Sequence, residues 1–237
     1  MPSGPPPPAW LTRVGVFDLE TTGVDVSSDR VVTAYVGVLD GEGRQVAARS
    51  WLADPGIPIP EGATALHGIT TERARTLGRP AAEVTAALRS LFQQSVPVVA
   101  YNASYDFSLL ACEAARHGIE PLVAPSPVID PLVIDKAYDR YRRGRRTLEV
   151  VAAHYAVPLE GAHEASADAI AAGRVAQALA RQFPLPETPA ELHTRQIGWA
   201  RSQAASLTEY FVSIGRLDPD DALDGTWPVR ASAPIAD

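Results

Sequence analysis

The sequence predicts an α/β protein with a central sheet of five strands in mixed direction, flanked by helices and followed by a C-terminal helical extension. Three strand-like segments rich in β-branched and aromatic residues open the chain, which is typical of an antiparallel meander. Short apolar segments then alternate with segments of helical periodicity, which indicates further strands connected through helices. The length of 237 residues, with 46% hydrophobic and 21% charged residues, suffices for one core and an appendage.

The strand predictions rest on composition and on turn signals. Residues 30–40 are mostly β-branched, aromatic or aliphatic, and they end at the Gly-rich turn 40–43, from which the next segment returns. A loop containing Pro55, Pro58 and Pro60 follows. The predicted strands are residues 13–20, 30–40, 44–52, 96–101 and 128–130.

The helix predictions rest on apolar spacing and on capping signals. Val84 and Leu88 lie one helical turn apart, and Gly118 is a helix-ending residue. Residues 188–191, Thr-Pro-Ala-Glu, combine a capping box with proline at the first helical position. The predicted helices are residues 79–94, 104–117, 131–142, 148–155, 166–183 and 189–215.

Composition divides the chain into three predicted parts. Residues 1–11 are expected to form a disordered, Pro-rich leader that lacks the basic flank and apolar core of a signal peptide. Residues 12–183 form the predicted domain, and residues 184–237 form a linker, the last helix and an acidic, loose tail after residue 216. No apolar run approaches the roughly 20 residues that span a bilayer, so we expect a cytoplasmic protein without membrane contact.

Charge and cysteine content exclude several classes of function. Cys112 is the only cysteine, which excludes an internal disulfide and a cysteine-based zinc site. The net charge of −7 argues against a protein that coats nucleic acid generally. It is compatible with an enzyme that binds phosphates through metal ions and a local basic patch.

The most informative segment is Asp18-Leu19-Glu20 at the end of the first predicted strand, directly before a Thr-Thr-Gly turn. Because side chains alternate along a strand, Asp18 and Glu20 leave the same face while Leu19 enters the opposite layer. Two carboxylates held this close repel each other unless a cation lies between them, and hard oxygen ligands favour Mg²⁺ or Mn²⁺. The alternative for such a common tripeptide is an Asp that caps a turn beside a solvated Glu.

Further acidic residues occur where predicted strands give way to helices. Asp106 lies in the first turn of a predicted helix, where the helix dipole favours an anion, and Asp168 lies near the start of another. His163 precedes that helix on a loop. Taken singly, these residues are a helix cap, a solvated helix residue and a surface histidine. In an α/β sheet, however, strand ends and the following helix starts converge on one crevice.

Three segments, residues 18–23, 101–107 and 163–168, resemble in order and spacing the three motifs of the DEDDh 3′→5′ exonucleases, which include the proofreading epsilon subunit of bacterial DNA polymerase and ribonuclease T. Residues 58–70 are also similar to the epsilon sequence between the first two motifs. The resemblance covers roughly residues 12–183. Tyr101 departs from it, because many relatives have histidine there, and the C-terminal helix does not resemble the polymerase-binding tail of epsilon.

The resemblance implies an RNase H-like fold and hydrolysis of the terminal phosphodiester with two Mg²⁺ ions, for which Mn²⁺ would substitute. It implies that Asp18 bridges the ions and that Glu20, Asp106 and Asp168 complete their coordination. It further implies that His163 deprotonates the attacking water and that the product is a nucleoside 5′-monophosphate.

Contacts with the substrate are predicted for the turn after the first strand, a loop histidine, an asparagine and a basic run. The alternatives are a plain turn, a satisfied loop histidine and a solvated connector. Arginines interleaved with tyrosines suit phosphate contact and base stacking on a single strand. The predicted substrate-binding residues are Leu19, Thr21, Thr22, Gly23, His67, Asn102, Arg142 and Arg143.

Two classes of function remain open at this point. The first is a metal-dependent 3′→5′ exonuclease that acts in proofreading or repair on single-stranded or frayed DNA, with an oligoribonuclease or RNase T-like enzyme acting on short RNA as a variant. The second is a non-catalytic module that contacts a DNA polymerase or repair partner through the C-terminal helix. A complete set of five motif residues favours the enzyme. No motif identifies contacts to a 2′-hydroxyl, so the choice between DNA and RNA stays open.

Overall fold

The computed structural model describes residues 8–92, 96–120, 127–159, 161 and 164–231. Its centre is a six-stranded sheet. The strands are β1 (Arg13–Thr21), β2 (Val31–Asp40), β3 (Gln45–Asp54), β4 (Arg79–Pro80), β5 (Val98–Val99) and β6 (Val128–Ile129). Their order across the sheet is β4-β3-β2-β1-β5-β6.

The sheet has mixed direction, as predicted. Strands β1, β2 and β3 form the expected antiparallel meander, and β5 and β6 run parallel to β1. The predicted number of five strands is wrong, because Arg79 and Pro80 pair in parallel with Ala53 and Asp54 at the edge of the sheet. Both residues lie at the start of the helix predicted over residues 79–94, which instead begins at Ala81.

The helices follow the predicted order. They are α1 (Glu61–His67), α2 (Thr71–Leu77), α3 (Ala81–Phe92), α4 (Ala103–Arg116), α5 (Pro131–Tyr138), α6 (Leu148–His154), α7 (Ala165–Gln182) and α8 (Pro189–Ser213). The short helices α1 and α2 were not predicted. Helix α5 ends earlier than predicted, because the Arg146 guanidinium donates to the carbonyls of Asp139 and Arg142, where the chain turns.

Hydrophobic cores cover both faces of the sheet. Val14 and Val16 of β1 pack towards α7, whereas Phe17 and Leu19 pack towards α3 and α4. This alternation places the next two outward residues of β1, Asp18 and Glu20, on the α7 face. The geometry of the sheet therefore decides which helix faces the two carboxylates.

Helix α7 lies close to the sheet at Gly173. A Cβ atom at this position would come within 2.4 Å of Val16 Cγ1 and 2.6 Å of Leu39 Cδ1. Neighbouring small residues of α7, Ala169 and Ala172, are also fully buried. The close approach fixes the distance between the sheet and the first turn of α7, which carries Asp168.

Both ends of the described chain are packed against the domain, contrary to two predictions. Residues 8–11 of the predicted leader are ordered: Trp10 is buried and its indole nitrogen donates to the Pro186 carbonyl. Residues 1–7 lie outside the described residues. The tail after residue 216 was expected to be loose, yet Trp227 is buried and the Arg230 amide donates to Ser108 Oγ at 2.8 Å.

The C-terminal helix α8 packs against α5 and β6. Leu192 and Gln196 are fully buried, and Gln196 bonds to the backbone of Val128 and Asp130 in and after β6. The extension therefore shares the core of the preceding domain. Among the helices of the described chain, none combines the length and the apolar character required to cross a membrane.

We predict that Gly173→Ala lowers the free energy of unfolding by about 1–2 kcal/mol, because a methyl group would overlap with two buried side chains. Gly198→Ala in α8 is the matched control, since nothing lies within 4 Å of a Cβ atom there. The control should be neutral or slightly stabilising, because alanine favours a helix over glycine. Urea unfolding of both variants measures the difference, and equal effects would contradict the close contact.

Candidate metal centre

Three carboxylates meet at the C-terminal end of β1. Asp18 and Glu20 project from β1, and Asp168 reaches them from the first turn of α7. One oxygen atom from each residue lies within 4.8 Å of the others, and all three side chains are partly buried. The sheet and α7 thus bring together residues that are about 150 positions apart in the chain.

Asp106 adds a fourth carboxylate from the first turn of α4. It is 3% exposed and is not among the three carboxylates whose oxygens lie within 4.8 Å of one another, but its charge raises the pKa of Asp18. Burial raises the pKa of Asp106 well above its usual value, with Asp130 and Glu20 adding to the rise, while backbone hydrogen bonds from Asp106 itself and Leu19 oppose it. Asp106 therefore belongs to the same electrostatic cluster as the other three.

Repulsion within the cluster is visible in the pKa values. Burial, and then the charges of Asp106, Glu20 and Asp168, raise the pKa of Asp18 well above its usual value. Burial and the charge of Asp168 raise the pKa of Glu20 to about 7. Such a cluster holds excess negative charge that a divalent cation would neutralise. All donors are carboxylate oxygens, the ligands that hard divalent cations prefer, so the residues fit such an ion.

A fully buried carboxylate, Asp130, positions the α4 end of the site. It follows β6 and accepts hydrogen bonds from the backbone amides of Asn102 and Ala103 at 3.0 and 2.9 Å. It also accepts from the Leu132 amide at 2.9 Å and the Trp227 indole at 3.4 Å. Burial raises the pKa of Asp130 to about 6, although these hydrogen bonds oppose the rise. Asp130 thereby fixes the start of α4, three residues before Asp106.

The sequence predicted Asp130 only as the end of a strand and did not predict that its carboxylate would bind the start of α4. A signal was present, because Asp130 directly precedes Pro131 and therefore suits the cap of a helix that begins with proline. The structure confirms this geometry at α5. The additional bonds to α4 join residues that are 27 and 28 positions apart, which no local pattern indicates.

The turn after β1 is tied to α4 by Tyr105. The hydroxyl of Tyr105 donates to the Gly23 carbonyl and lies 2.7 Å from Thr21 Oγ1, which itself donates to the Gly23 carbonyl. Burial raises the pKa of Tyr105 to about 12, which keeps the phenol protonated as a donor. The turn is therefore held in one conformation beside the carboxylates.

Thr22 and Gly23 have structural roles in the same turn. The Thr22 hydroxyl is buried, donates to Asp29 at 2.7 Å and accepts from the Arg30 amide at 3.0 Å. A Cβ atom at Gly23 would lie 2.5 Å from the Asp29 carboxylate, so any larger residue there would displace the side chain of Asp29 from Thr22. Contacts of these residues with a substrate stay predictions.

A cavity of about 300 Å³ opens beside Glu20. His67, Arg73, Glu164 and Trp51 are among its lining residues. His67 is the last residue of α1, and its Nδ1 accepts a hydrogen bond from the Ile69 amide at 3.1 Å. Its Nε2 is buried. Burial lowers the pKa of His67, and a backbone hydrogen bond with Thr21 opposes this effect, so the imidazole is tied to the turn after β1.

The other predicted substrate residues lie in different surroundings. Asn102 is exposed in a left-handed conformation at the start of α4. Leu19 is 6% exposed in the core on the opposite face of β1. Arg142 is held by Asp135 at 2.5 Å and by Asp139 at 2.9 Å, whereas Arg143 is exposed. The structure therefore does not bring all eight together.

His163, the predicted general base, lies outside the described residues. Its neighbour in the chain, Glu164, caps α7 and lines the cavity beside Glu20. The predicted role of His163 stays a prediction.

A family model described as "Exonuclease", RNase_T, matches residues 16–176. This range contains the four carboxylates and the turn after β1. It ends within α7, so α8 and the tail lie outside the match.

Curated relatives are much longer than this chain. The chain is 31% identical over 161 residues to the PolC-type DNA polymerase III of Streptococcus sanguinis, which corresponds to 68% of this chain and 10% of that protein. It is 30% identical over 170 residues to the PolC-type DNA polymerase III of Lacticaseibacillus paracasei, which corresponds to 70% of this chain and 11% of that protein. The chain therefore spans about a tenth of the length of these relatives.

Solved structures with a similar fold include exonuclease I of E. coli. Its complex with a dA16 oligonucleotide matches 80% of this chain and 44% of that chain, with a TM-score of 0.64 and 21% identity. An exonuclease I complex described as "ExoI/SSB-Ct" matches 83% of this chain and 46% of that chain, with a TM-score of 0.63 and 19% identity. These similarities confirm the predicted fold class.

We predict that the metal-free protein loses thermal stability as the pH rises from about 5 to 8. A carboxyl group with a raised pKa binds its proton more tightly in the folded chain. The contribution of Glu20 is therefore complete below its ordinary value of 4.5 and is lost as the pH rises through about 7. Asp18 and Asp106 act in the same direction.

Thermal unfolding in EDTA and in Mn²⁺ measures this dependence. Mn²⁺ should raise the Tm more at pH 8 than at pH 5, because Glu20, with a pKa of about 7, must lose its proton before it can bind the ion. Glu20→Gln should flatten the metal-free profile, whereas Glu209→Gln, at an exposed position of α8, should not. An equal effect of Mn²⁺ at both pH values would contradict a metal centre at this cluster.

We predict that Asp130→Asn lowers the free energy of unfolding by about 1–3 kcal/mol. Each carboxylate oxygen of Asp130 accepts hydrogen bonds from two N–H groups. In the asparagine variant, the side-chain NH₂ group would therefore point at two N–H donors in either orientation of the amide. Asp221→Asn, at an exposed position of the tail, is the matched control. The variant should also lose part of the stabilisation by Mn²⁺, since Asp106 would shift, and an unchanged Mn²⁺ response would refute this positioning role.

Proposed function

The chain belongs to the exonuclease family whose model matches residues 16–176, and from this membership we propose that it is a divalent-metal-dependent 3′→5′ exonuclease acting on DNA. It would hydrolyse the terminal phosphodiester bond of single-stranded or frayed 3′ ends and release nucleoside 5′-monophosphates. The observation that carries this proposal is the cluster of Asp18, Glu20 and Asp168 at the end of β1, with which Asp106 interacts electrostatically.

The electrostatics of the cluster support a central position for Asp18. The charges of all three other carboxylates raise its pKa, whereas the pKa of Glu20 responds chiefly to burial and Asp168. We assign to Asp18 the role that the resemblance to the first motif implies, in which it would help to hold both cations. Glu20, Asp106 and Asp168 would complete the coordination of two Mg²⁺ ions, for which Mn²⁺ would substitute.

Bound divalent ions supply a nucleophile at neutral pH and stabilise charge on the leaving 3′ oxygen. The protein positions the terminal nucleotide through the turn of Thr21, Thr22 and Gly23, which Tyr105 holds against α4. The exposed side chain of Asn102 lies at the start of the same helix, and His67 lines the cavity beside Glu20.

We assign the transfer of the proton from the attacking water to His163, on the resemblance to the third motif of the family. A histidine titrates near neutral pH and can accept this proton under physiological conditions. Its chain neighbour Glu164 lines the cavity beside Glu20, which supports the assignment.

The curated relatives support DNA as the substrate, since they carry the name of a DNA polymerase. The exonuclease I structures with dA16 and dT13 oligonucleotides add to this support. The same comparison supports the proposed role in proofreading or repair. A contact between α8 and a polymerase or repair protein stays a prediction.

We predict that Asp18→Asn lowers the rate of nucleotide release by about a thousandfold, because loss of a bridging carboxylate removes several kcal/mol of transition-state stabilisation. Glu209→Gln, an exposed carboxyl on α8, is the matched control and should retain activity. Release of mononucleotides from single-stranded DNA in Mg²⁺ or Mn²⁺ measures the rates. Equal release by the wild-type protein and Asp18→Asn would overturn the proposed function.

The position of the label on the substrate tests the direction of hydrolysis, and the comparison of DNA with RNA substrates tests the preference for the sugar. A 3′→5′ enzyme releases a 3′-terminal label at once and converts a 5′-labelled strand into a descending ladder. Parallel reactions on mismatched duplex DNA and on short RNA complete the panel. Faster degradation of the shortest RNA than of DNA would replace the DNA assignment with an oligoribonuclease, while first release of a 5′ label would contradict the direction.

A further inference from the structure

A second cavity of about 470 Å³ lies between α5 and α8. Its volume is in the range of small-molecule and nucleotide sites. Three of its lining residues are cations, and no carboxylate lines it among the described residues. Because the whole chain carries a net charge of −7, such a concentration of positive charge indicates an anionic ligand.

The cations of this cavity, which we call the α5–α8 groove, are Lys136, Arg140 and Arg146. Burial lowers the pKa of Lys136, and its ammonium group makes no direct ion pair or hydrogen bond with the described residues. Arg140 is exposed and likewise has no carboxylate partner in the described chain. Arg146 is bound to Asp135, so it contributes less charge. Two cations of the groove are thus available to a ligand.

Aromatic rings and hydroxyl groups complete the groove on the α8 side. Trp199 is partly buried and packs edge-on against Tyr138, with ring centroids 5.6 Å apart. Tyr210 is 57% exposed. Ser202 and Ser206 lie between them along the helix and can donate hydrogen bonds to phosphate oxygens. Cations, hydroxyls and a free aromatic face together are the features of a single-strand binding site.

The groove is linked to the start of α4 through Asp130 and Tyr101. The charge of Asp130, the residue that fixes the start of α4, raises the pKa of Lys136 against the larger effect of burial. Tyr101, directly before Asn102, donates through its hydroxyl to the Arg146 carbonyl at 2.7 Å. The wall of the groove is therefore connected to the segment that carries Asp106 through one layer of side chains.

We propose that the α5–α8 groove binds an internal nucleotide of the single strand whose 3′ end lies at the carboxylate cluster. The phosphodiester would contact Lys136 and Arg140, and a base would stack on Tyr210. This inference rests on the proposed function, and it adds a binding site formed with α8, which lies outside the matched exonuclease range. The site would favour long single strands over short oligonucleotides.

The test is binding of a labelled oligothymidylate of about 16 nucleotides, measured by fluorescence anisotropy with Ca²⁺ in place of the catalytic ion. Tyr210→Ala should weaken binding roughly fivefold or more, because a stacked base is lost. The double variant Lys136→Gln/Arg140→Ala should lower the slope of log affinity against log salt by about 1.4, since each phosphate contact on a single strand contributes about 0.7.

Arg201→Ala is the matched control, because Arg201 is exposed on α8 and lines a different cavity. Arg140→Ala and Tyr210→Ala change exposed side chains, so they keep the test valid if Lys136→Gln impairs folding. In kinetic assays with Mg²⁺, the groove variants should lose more kcat/KM on the long strand than on a dinucleotide. Equal losses on both lengths, or the same affinity and salt slope as Arg201→Ala, would overturn the proposal.

These measurements separate the groove from the proposed function. An active wild-type enzyme with unaltered groove variants would refute the groove alone. Strand binding that depends on the groove, in a protein without metal-dependent nucleotide release, would refute the exonuclease alone. A peptide rich in aspartate serves as a further probe: if the groove variants lose affinity for this peptide and keep it for the oligothymidylate, the groove binds protein and our assignment is wrong.

Discussion

The burial and mutual repulsion of the partly buried carboxylates at the end of β1 are the constraint on which the rest of the structure depends. Asp18 and Asp106 have strongly raised pKa values, and Glu20 reaches about 7, so the cluster is unfavourable when fully ionised without a counterion. A fold can maintain such a cluster only where other interactions hold the contributing elements firmly. Here those elements are the sheet, α4 and α7.

Two different contacts hold the helices in place. Helix α7 approaches the sheet closely at Gly173, where a side chain would overlap with Val16, and this fixes Asp168. Helix α4 is fixed by Asp130, which bonds to its first amides, and by Tyr105, which bonds to the turn after β1. The energy for gathering the carboxylates is thus supplied by packing and by buried hydrogen bonds outside the cluster.

The sequence predicted those parts of the site that follow local rules. Alternation along β1 placed Asp18 and Glu20 on one face, and the helix start placed Asp106 at the dipole. Asp130 escaped notice because its bonds to α4 are non-local. The close approach of α7 to the sheet at Gly173 was not predictable either, because a glycine is not unusual in a helix that already contains many small alanine residues. The ordered ends were mispredicted because Trp10 and Trp227 are single anchors within Pro-rich or acidic segments.

The C-terminal extension is physically part of the site support rather than an appendage. The side-chain oxygen of Gln196 in α8 accepts a hydrogen bond from the backbone amide of Asp130 at 2.7 Å, and the indole of Trp227 donates to the carboxylate of Asp130. Both contacts act on the residue that positions α4 and hence Asp106. An event that displaced α8 or the tail would therefore alter the metal centre through Asp130, even without direct contact. Because α8 also forms one wall of the α5–α8 groove, the same helix contacts both that groove and the residue that positions α4.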